Sequence, residues 1–393
     1  MKGKMTLSAK LPFGVGSFAK EWNLLCLCAS PSSSNREIAE QLTADLDWNV
    51  LLELGEEHGV LGILTSRLQL AGFHGIPLSA REKLQVRMRA QHLFTLSMTA
   101  ELFRILQDFS FSGIDCILVK GPLLSLLAYG DPAVRSYVDL DLLVRHADIL
   151  AASRRMVDLG FEPDIPVTVI EAGKIPGEYL FRRPGTSRIV ELHTERTFRY
   201  YPRSMPLQAL FDRQRRITLD GREIPALSLE DEFVLIVIHG CKHFWERLMW
   251  VADISAMVAS HPEFDWKRLR QSSEEIGAER MMRVALQLGE TLLKVPVPDP
   301  MAKDVKGDST VAGLCRQVER WLPSAGHDPP NLMERAMFRM RMRGGLAGAT
   351  YLLRLSLSPT EEDWLEGAEE RRSGFWDAFQ RPLRLFRKYR SNH

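Results

Sequence analysis

Apolar residues recur at helical intervals through the first quarter of the chain. Between residues 18 and 110 this spacing is interrupted by turn residues at 31–35 and 71–77, and it predicts several helices, of which the last is long. We therefore expect residues 1–110 to form an N-terminal helical region.

Residues 111–204 show a different pattern, in which short apolar runs are separated by turn residues. Four such runs predict strands, at residues 114–119, 138–144, 178–183 and 188–194. The last two flank Pro184-Gly185 and predict a β-hairpin. Helical spacing between the strands predicts helices over 122–129 and about 147–159. This alternation indicates a small core of strands and helices.

Helical spacing returns afterwards and predicts a C-terminal helical region over residues 205–393. One of its helices carries His239 and His243 on the same face, a spacing that suits either a metal ion or a substrate pocket. Because the glutamate of a zinc-binding His-Glu-x-x-His motif is missing, we favour the pocket. Asp253 lies in an apolar run and needs a partner, for which we expect one of these histidines.

Composition and charge narrow the range of partners. The 393 residues are enough for two or three domains, and the net charge of +1 disfavours a long nucleic acid as partner. The five cysteines lie mostly in apolar runs, which favours a reducing cytoplasm over a disulfide framework. No apolar run approaches the roughly 20 residues that a membrane-spanning helix needs, so we expect no membrane partner.

Two aspartates interrupt the apolar run 138–144. In a strand, Asp139 and Asp141 project to the same face, while Val138 and the apolar residues that alternate with them point into a core. Carboxylates held this close repel each other, and a divalent cation is the usual compensation. The pair therefore predicts a metal site, and the alternative is a solvated strand face without metal.

The chain before this run has the features of a phosphate site. Lys120 and Gly121 stand between a predicted strand and a predicted helix, where free backbone N–H groups and the positive end of the helix dipole suit a phosphate. A simple strand-to-helix turn, with Pro122 in the first helical turn, is the alternative. Arg135 carries a guanidinium fork that suits a phosphate, although a surface position is as compatible with the sequence.

The second strand of the predicted hairpin offers a third acid. Glu191 and His193 share one face of it, while Val190 and Leu192 share the other. If this strand lies beside residues 138–144, Glu191 completes a cluster of three carboxylates. Such a cluster can hold two Mg²⁺ ions, or Mn²⁺, for an in-line displacement. A surface ion pair is the alternative for Glu191, and His193 is interpreted as a neighbour of the cluster.

These residues together resemble one known family, the bacterial uncharacterised nucleotidyltransferases of the superfamily with the DNA polymerase β-like fold. The resemblance rests on Lys120-Gly121 at a helix start, Arg135 before the aspartate pair and Glu191-Leu-His193 on a third strand. It continues in a downstream helix with His239-Gly240, Lys242-His243, Trp245, Arg247-Leu248, Trp250 and Asp253.

The resemblance implies an α+β fold, in which a minimal nucleotidyltransferase core with a mixed sheet, residues 111–204, is flanked by the two helical regions. It also implies a Mg²⁺-dependent transfer of a nucleoside monophosphate, with AMP from ATP as the first choice, to an acceptor with release of pyrophosphate. Asp139, Asp141 and Glu191 would be the catalytic metal ligands. The residues implied to contact the nucleotide are Lys120, Gly121, Arg135, His193, His239, Lys242 and His243.

The sequence leaves the acceptor open. A small molecule, a peptide or a protein suits the near-neutral charge better than a long nucleic acid does. From another functional class, the alternative is a non-catalytic nucleotide-sensing or partner-binding module of a biosynthetic or toxin–antitoxin operon. A metal-dependent phosphohydrolase is a third interpretation, and its product would be phosphate instead of pyrophosphate.

Overall fold

Helices make up the first part of the chain, as predicted for residues 18–110. The computed structural model describes residues 18–344 and 348, with gaps at 74, 172–176, 195–205 and 327. The expected N- and C-terminal regions also include residues 1–17 and most of those after 344, which lie outside the described residues. The first helices are α1 (Ala19–Ala29), α2 (Asn35–Glu40), α3 (Trp48–Glu57), α4 (Leu61–Leu70) and α5 (Leu78–Phe111).

Strands and helices alternate after α5. The strands are β1 (Cys116–Val119), β2 (Leu140–Val144), β3 (Glu162–Pro163), β4 (Glu178–Arg182), β5 (Ile189–His193), β6 (Arg215–Leu219) and β7 (Arg222–Ala226). The helices between them are α6 (Gly121–Tyr129), α7 (Ile149–Asp158), α8 (Val167–Glu171) and α9 (Leu207–Asp212). The four predicted strands, the hairpin and the two predicted helices are therefore all confirmed.

Helices complete the described part of the chain. They are α10 (Leu229–Lys242), α11 (Leu248–Ser260), α12 (Trp266–Ile276), α13 (Glu279–Leu293), α14 (Asp299–Lys306), α15 (Ser309–Trp321) and α16 (Leu332–Arg343). Among the described residues, no helix combines the length and the apolar character that crossing a membrane requires.

The seven strands form one mixed sheet in the order β3-β4-β5-β2-β1-β7-β6. β2 pairs antiparallel with β1 and parallel with β5, so that the predicted aspartate strand lies beside the predicted glutamate strand. With helices packed around it, this sheet confirms the expected α+β class.

The aspartate strand is shorter than its apolar run predicted. β2 begins at Leu140, which leaves Asp139 just outside it, and Val138 is 66% exposed. The expectation that Val138 points into a core is therefore wrong. The physical reason is that the ladder with β1 ends at the pair Val119–Asp141, so no partner strand holds the residues before Leu140 in extended pairing.

A second hairpin, β6–β7, lies within the region that the sequence analysis expected to be helical throughout. β7 pairs parallel with β1 at Leu118 and Ala226, and this contact attaches the hairpin to the sheet. The expectation of helices alone after residue 204 is therefore wrong for residues 215–226.

Both faces of the sheet are covered by helices, which explains why β1 and β2 are nearly continuous apolar runs. On one face, Leu140 and Leu142 belong to a core that includes residues of α5 and α7. On the other face, Leu143 belongs to a larger core that includes residues of α10 and α11. Asp141 shares this second face with Leu143, so its carboxylate points toward α10 and α11.

Candidate functional site

A cavity of about 850 Å³ lies on the face of the sheet that carries Asp141. Its lining includes every residue expected to bind metal or contact the nucleotide, namely Lys120, Gly121, Arg135, Asp139, Asp141, Glu191, His193, His239, Lys242 and His243. Its volume falls in the range of small-molecule and cofactor sites. Segments that are far apart in the chain therefore contribute to one site.

The centre of the cavity holds three side chains that can bind a metal ion together. The parallel register of β2 and β5 places Asp141 opposite Glu191, and His193 follows on the same face of β5. One ligand atom from each of the three lies within 4.8 Å of the other two. Asp139, which the sequence analysis placed in the metal set, is not part of this compact group, whereas His193 is. Two carboxylates and an imidazole suit a divalent cation.

The carboxylate of Asp141 is held by cationic or donor groups on both of its oxygens. Lys120 Nζ lies 3.0 Å from Oδ2, and His193 Nε2 lies 2.6 Å from Oδ1. Burial disfavours the charged carboxylate, but Lys120 and His193 outweigh this effect and hold the pKa of Asp141 well below its usual range. Asp141 is therefore ionised, with the ammonium of Lys120 beside one oxygen and the imidazole of His193 beside the other.

Asp139 and Glu191 are the acids of the site that resist ionisation. Burial, together with the negative charge of Asp141, raises the pKa of Asp139. Burial and the neighbouring carboxylates raise the pKa of Glu191 to about 7, although His193 opposes the shift. A carboxylate with a pKa near neutrality can accept a proton during a reaction at physiological pH. A bound cation would also reduce the repulsion between these crowded, desolvated carboxylates.

Metal binding at this group is expected to weaken as the pH falls from 8 to 6. Glu191 titrates at about 7 in the metal-free protein, and a metal ion bound to it must displace the proton that it carries below that pH. Below the pKa of the ligand, each unit of lower pH weakens the apparent metal affinity about tenfold for each proton that the ion displaces. Titration calorimetry with Mn²⁺ at both pH values measures the slope. Glu191→Gln should reduce the slope, and the rest would come from His193, whose pKa is raised against the effect of burial by Asp141. A wild-type affinity independent of pH would contradict the assignment of Glu191 as a ligand.

The turn from β1 to α6 has the strained backbone of a ligand-binding loop. Lys120 has φ 55° and ψ −139°, a conformation that residues with a Cβ rarely adopt, and Gly121 follows with φ 51°. No side chain caps the N-terminus of α6. Pro122 has no N–H, so Gly121, which lines the cavity, is the first-turn residue that can offer a backbone N–H there, and phosphate binding at this helix start stays a prediction.

Arg135 is part of a buried ion pair. It is 5% exposed, and its Nε lies 2.8 Å from Asp253 Oδ2. Tyr129 donates its O–H to the other oxygen of Asp253 at 2.9 Å. The expectation that Asp253 pairs with a histidine is therefore wrong. The reason is that the segment between α6 and β2 passes directly over α11 and brings Arg135 to it. Arg135 also lines the cavity, but part of its guanidinium is engaged by Asp253.

His239 and His243 form an aromatic wall of the cavity together with Trp250. The two imidazole centroids are 4.6 Å apart, and Trp250 lies 5.6 Å from His239 and 5.2 Å from His243. Burial and the charge of nearby lysines lower the pKa of both histidines, that of His243 to about 3. Neutral aromatic rings suit a stacked base or sugar. Both histidines line the cavity, and the preference for a pocket role over zinc stays a prediction.

Glu178, which lines the cavity, and Glu232, which contacts Lys120, were not predicted from the sequence. Glu178 is paired in register with His193, and its Oε1 lies 3.3 Å from Nζ of Lys242. Glu232 Oε1 accepts the backbone N–H of Lys120 at 2.9 Å. An acid next to the apolar run that begins at Phe233 was the available signal for Glu232, because a charged residue in a buried helix needs a partner.

A family model and a solved structure are similar to this chain. The family described as "Uncharacterised nucleotidyltransferase" matches residues 44–294, a segment that contains all the site residues discussed above. A solved structure described as an antigenic nucleotidyltransferase-like protein from Paracoccidioides brasiliensis is 17% identical. That match covers 56% of this chain and 96% of the other, with a TM-score of 0.30. No curated protein matches the chain.

Proposed function

Since the chain belongs to the uncharacterised nucleotidyltransferase family, we propose that it transfers a nucleoside monophosphate from a nucleoside triphosphate to an acceptor, with release of pyrophosphate. The observation that carries the proposal is the meeting of Asp141, Glu191 and His193 in one cavity with the uncapped start of α6. The donor we propose is ATP, and the group transferred is AMP.

The acidic centre would hold the divalent metal ions, for which we propose two Mg²⁺ that Mn²⁺ can replace. Asp141 and Glu191 are proposed ligands, with Asp139 at the edge of the site and His193 within reach of both ligands. The carboxylates fit these ions, because desolvated carboxylates that converge repel each other and their oxygens are the ligands that suit Mg²⁺ and Mn²⁺. When bound, such ions stabilise the charge that develops on the attacking and leaving oxygens.

The protein itself would bind and orient the nucleotide. The N–H of Gly121 and the positive end of the α6 dipole would bind the terminal phosphates, and the ammonium of Lys120 would add positive charge beside them. His239, His243 and Trp250 would stack against the base. Lys242 and Arg135 line the same cavity and would add positive charge to it.

Glu191 would serve the acceptor in one of two ways. It would ligate the metal ion on the side of the nucleophile, or, without an ion bound to it, its pKa of about 7 would let it accept the acceptor's proton at neutral pH. We propose that the acceptor is a small molecule, a peptide or a protein. The cavity of about 850 Å³ leaves room for part of it next to the nucleotide.

The test uses ATP labelled either at the α-phosphate or at the γ-phosphate, incubated with the protein, Mg²⁺ or Mn²⁺ and candidate acceptor fractions. We expect the α-label to appear on an acceptor and the γ-label in pyrophosphate. The double variant Asp139→Asn/Asp141→Asn is the control and should give neither product.

Each other outcome identifies a different function. Release of the γ-label as phosphate would indicate a phosphohydrolase. Metal-dependent ATP binding without transfer to any fraction would favour the nucleotide-sensing module. Absence of ATP binding by the wild-type protein would overturn the proposal altogether.

A further inference from the structure

Lys120, the strained residue in the turn from β1 to α6, is held by an acid from the distant helix α10. A lysine with φ 55° has its Cβ in an unfavourable position, so a specific contact must stabilise the turn. The backbone N–H of Lys120 donates to Oε1 of Glu232 at 2.9 Å, across 112 residues of sequence. The described structure thus joins the turn after β1 to the first turns of α10.

A glutamate at position 232 is unfavourable for the stability of the fold. It is completely buried, and within the described residues no hydrogen-bond partner reaches its Oε2. Burial raises its pKa to about 7, against the opposing effect of the N–H and the charge of Lys120. A buried acid with one unpartnered oxygen destabilises a fold. Its contact with Lys120 is the benefit that the structure shows in return.

We propose that Glu232 is a positioning residue for Lys120. By accepting the N–H of Lys120 it fixes the turn in its strained form, so that the ammonium stays beside Asp141 and the start of α6 stays open to a phosphate. Its effect on nucleotide affinity rests on the proposed function, whereas its effect on the backbone of Lys120 does not.

Two substitutions separate the contact from the charge. Glu232→Gln keeps a carbonyl oxygen at the same distance and loses the acid, whereas Glu232→Met has a similar length and no acceptor. We expect Glu232→Met to accelerate hydrogen exchange of the Lys120 amide and to weaken binding of ATP with Mn²⁺ roughly tenfold or more, because the ammonium loses its fixed position. Glu232→Gln should match the wild type in both measurements.

A double-mutant cycle shows whether the effect passes through Lys120. If it does, Glu232→Met weakens ATP binding less in the Lys120→Met background than in the wild type, because the part of the effect that passes through the ammonium is already lost. Additive losses would overturn the proposal, as would an unprotected Lys120 amide in the wild type or a Glu232→Gln variant as defective as Glu232→Met. Should Glu232→Met not fold, Glu232→Asp replaces it, because an acid one methylene shorter falls short of the Lys120 N–H.

The two proposals fail in different ways. A wild type that binds no ATP, but whose Lys120 amide is protected and becomes exposed in Glu232→Met, refutes the nucleotidyltransferase proposal and supports the positioning role in the turn. If the wild type binds ATP and Glu232→Met binds it equally tightly, the positioning role alone is refuted.

Discussion

Asp141→Asn is expected to abolish nucleotidyl transfer, with a loss of roughly 10²–10³-fold or more in rate. Asparagine has nearly the same shape, but it lacks the charge that attracts a metal ion. Asp141 is the residue on which the site converges, because Lys120 contacts one of its oxygens and His193 the other. The substitution therefore removes a metal ligand and leaves the buried ammonium of Lys120 without its nearest partner.

Initial rates of product formation from α-labelled ATP, together with Mn²⁺ titrations, measure this loss. Asp158→Asn is the matched control. Its side chain is 60% exposed on α7, which covers the opposite face of the sheet, so its rate should equal that of the wild type. If Asp141→Asn kept both its metal affinity and more than a tenth of the activity, the metal site would have to lie elsewhere.

Arg135→Met is expected to lower the free energy of unfolding by about 3–5 kcal/mol. The side chains of Arg135 and Asp253 are 6% and 2% exposed, so the substitution leaves a carboxylate buried without its cation. Burial already raises the pKa of Asp253 with Arg135 beside it. Without the guanidinium, Asp253 must either take up a proton or remain charged in an apolar setting, and both cost stability at neutral pH.

Denaturant unfolding followed by circular dichroism measures this change. Arg182→Met is the control, because it removes the same type of side chain from a surface pair with Asp164 and should cost about 1 kcal/mol or less. In the double variant Arg135→Met/Asp253→Leu, much of the lost stability should return. An Arg135→Met protein of wild-type stability that fails to bind ATP would instead support the phosphate-binding role expected from the sequence.

The parts of the site that lie on regular strands could be predicted from the sequence. Period-two alternation in β5 placed Glu191 and His193 on one face, and the pairing of β2 with β5 brings them to Asp141. The preference for Asp139 over His193 as a metal ligand rested on the expectation that carboxylates alone form the cluster. The start of β2 at Leu140 depends on strand pairing and is not visible in the local sequence pattern.

The long-range partners could not be predicted, because nothing in the local pattern specifies them. Arg135 and Asp253 are 118 residues apart, and Lys120 and Glu232 are 112 apart. Each pair depends on how α10 and α11 pack on the sheet. The β6–β7 hairpin is different, since Asp220-Gly221 between alternating residues is a strong local signal for a two-residue hairpin turn, and the sequence analysis overlooked it.

The attachment of β7 to β1 has a practical consequence for anyone who wants to work with a smaller fragment. A piece truncated at residue 204 would lose β6 and β7 and uncover the side of β1 that β7 now occupies. Strand edges exposed in this way recruit other chains and promote aggregation. The same truncation would remove α10 and with it Glu232, the acceptor of the Lys120 amide. Recombinant work should therefore keep the seven-stranded sheet and α10 in one polypeptide.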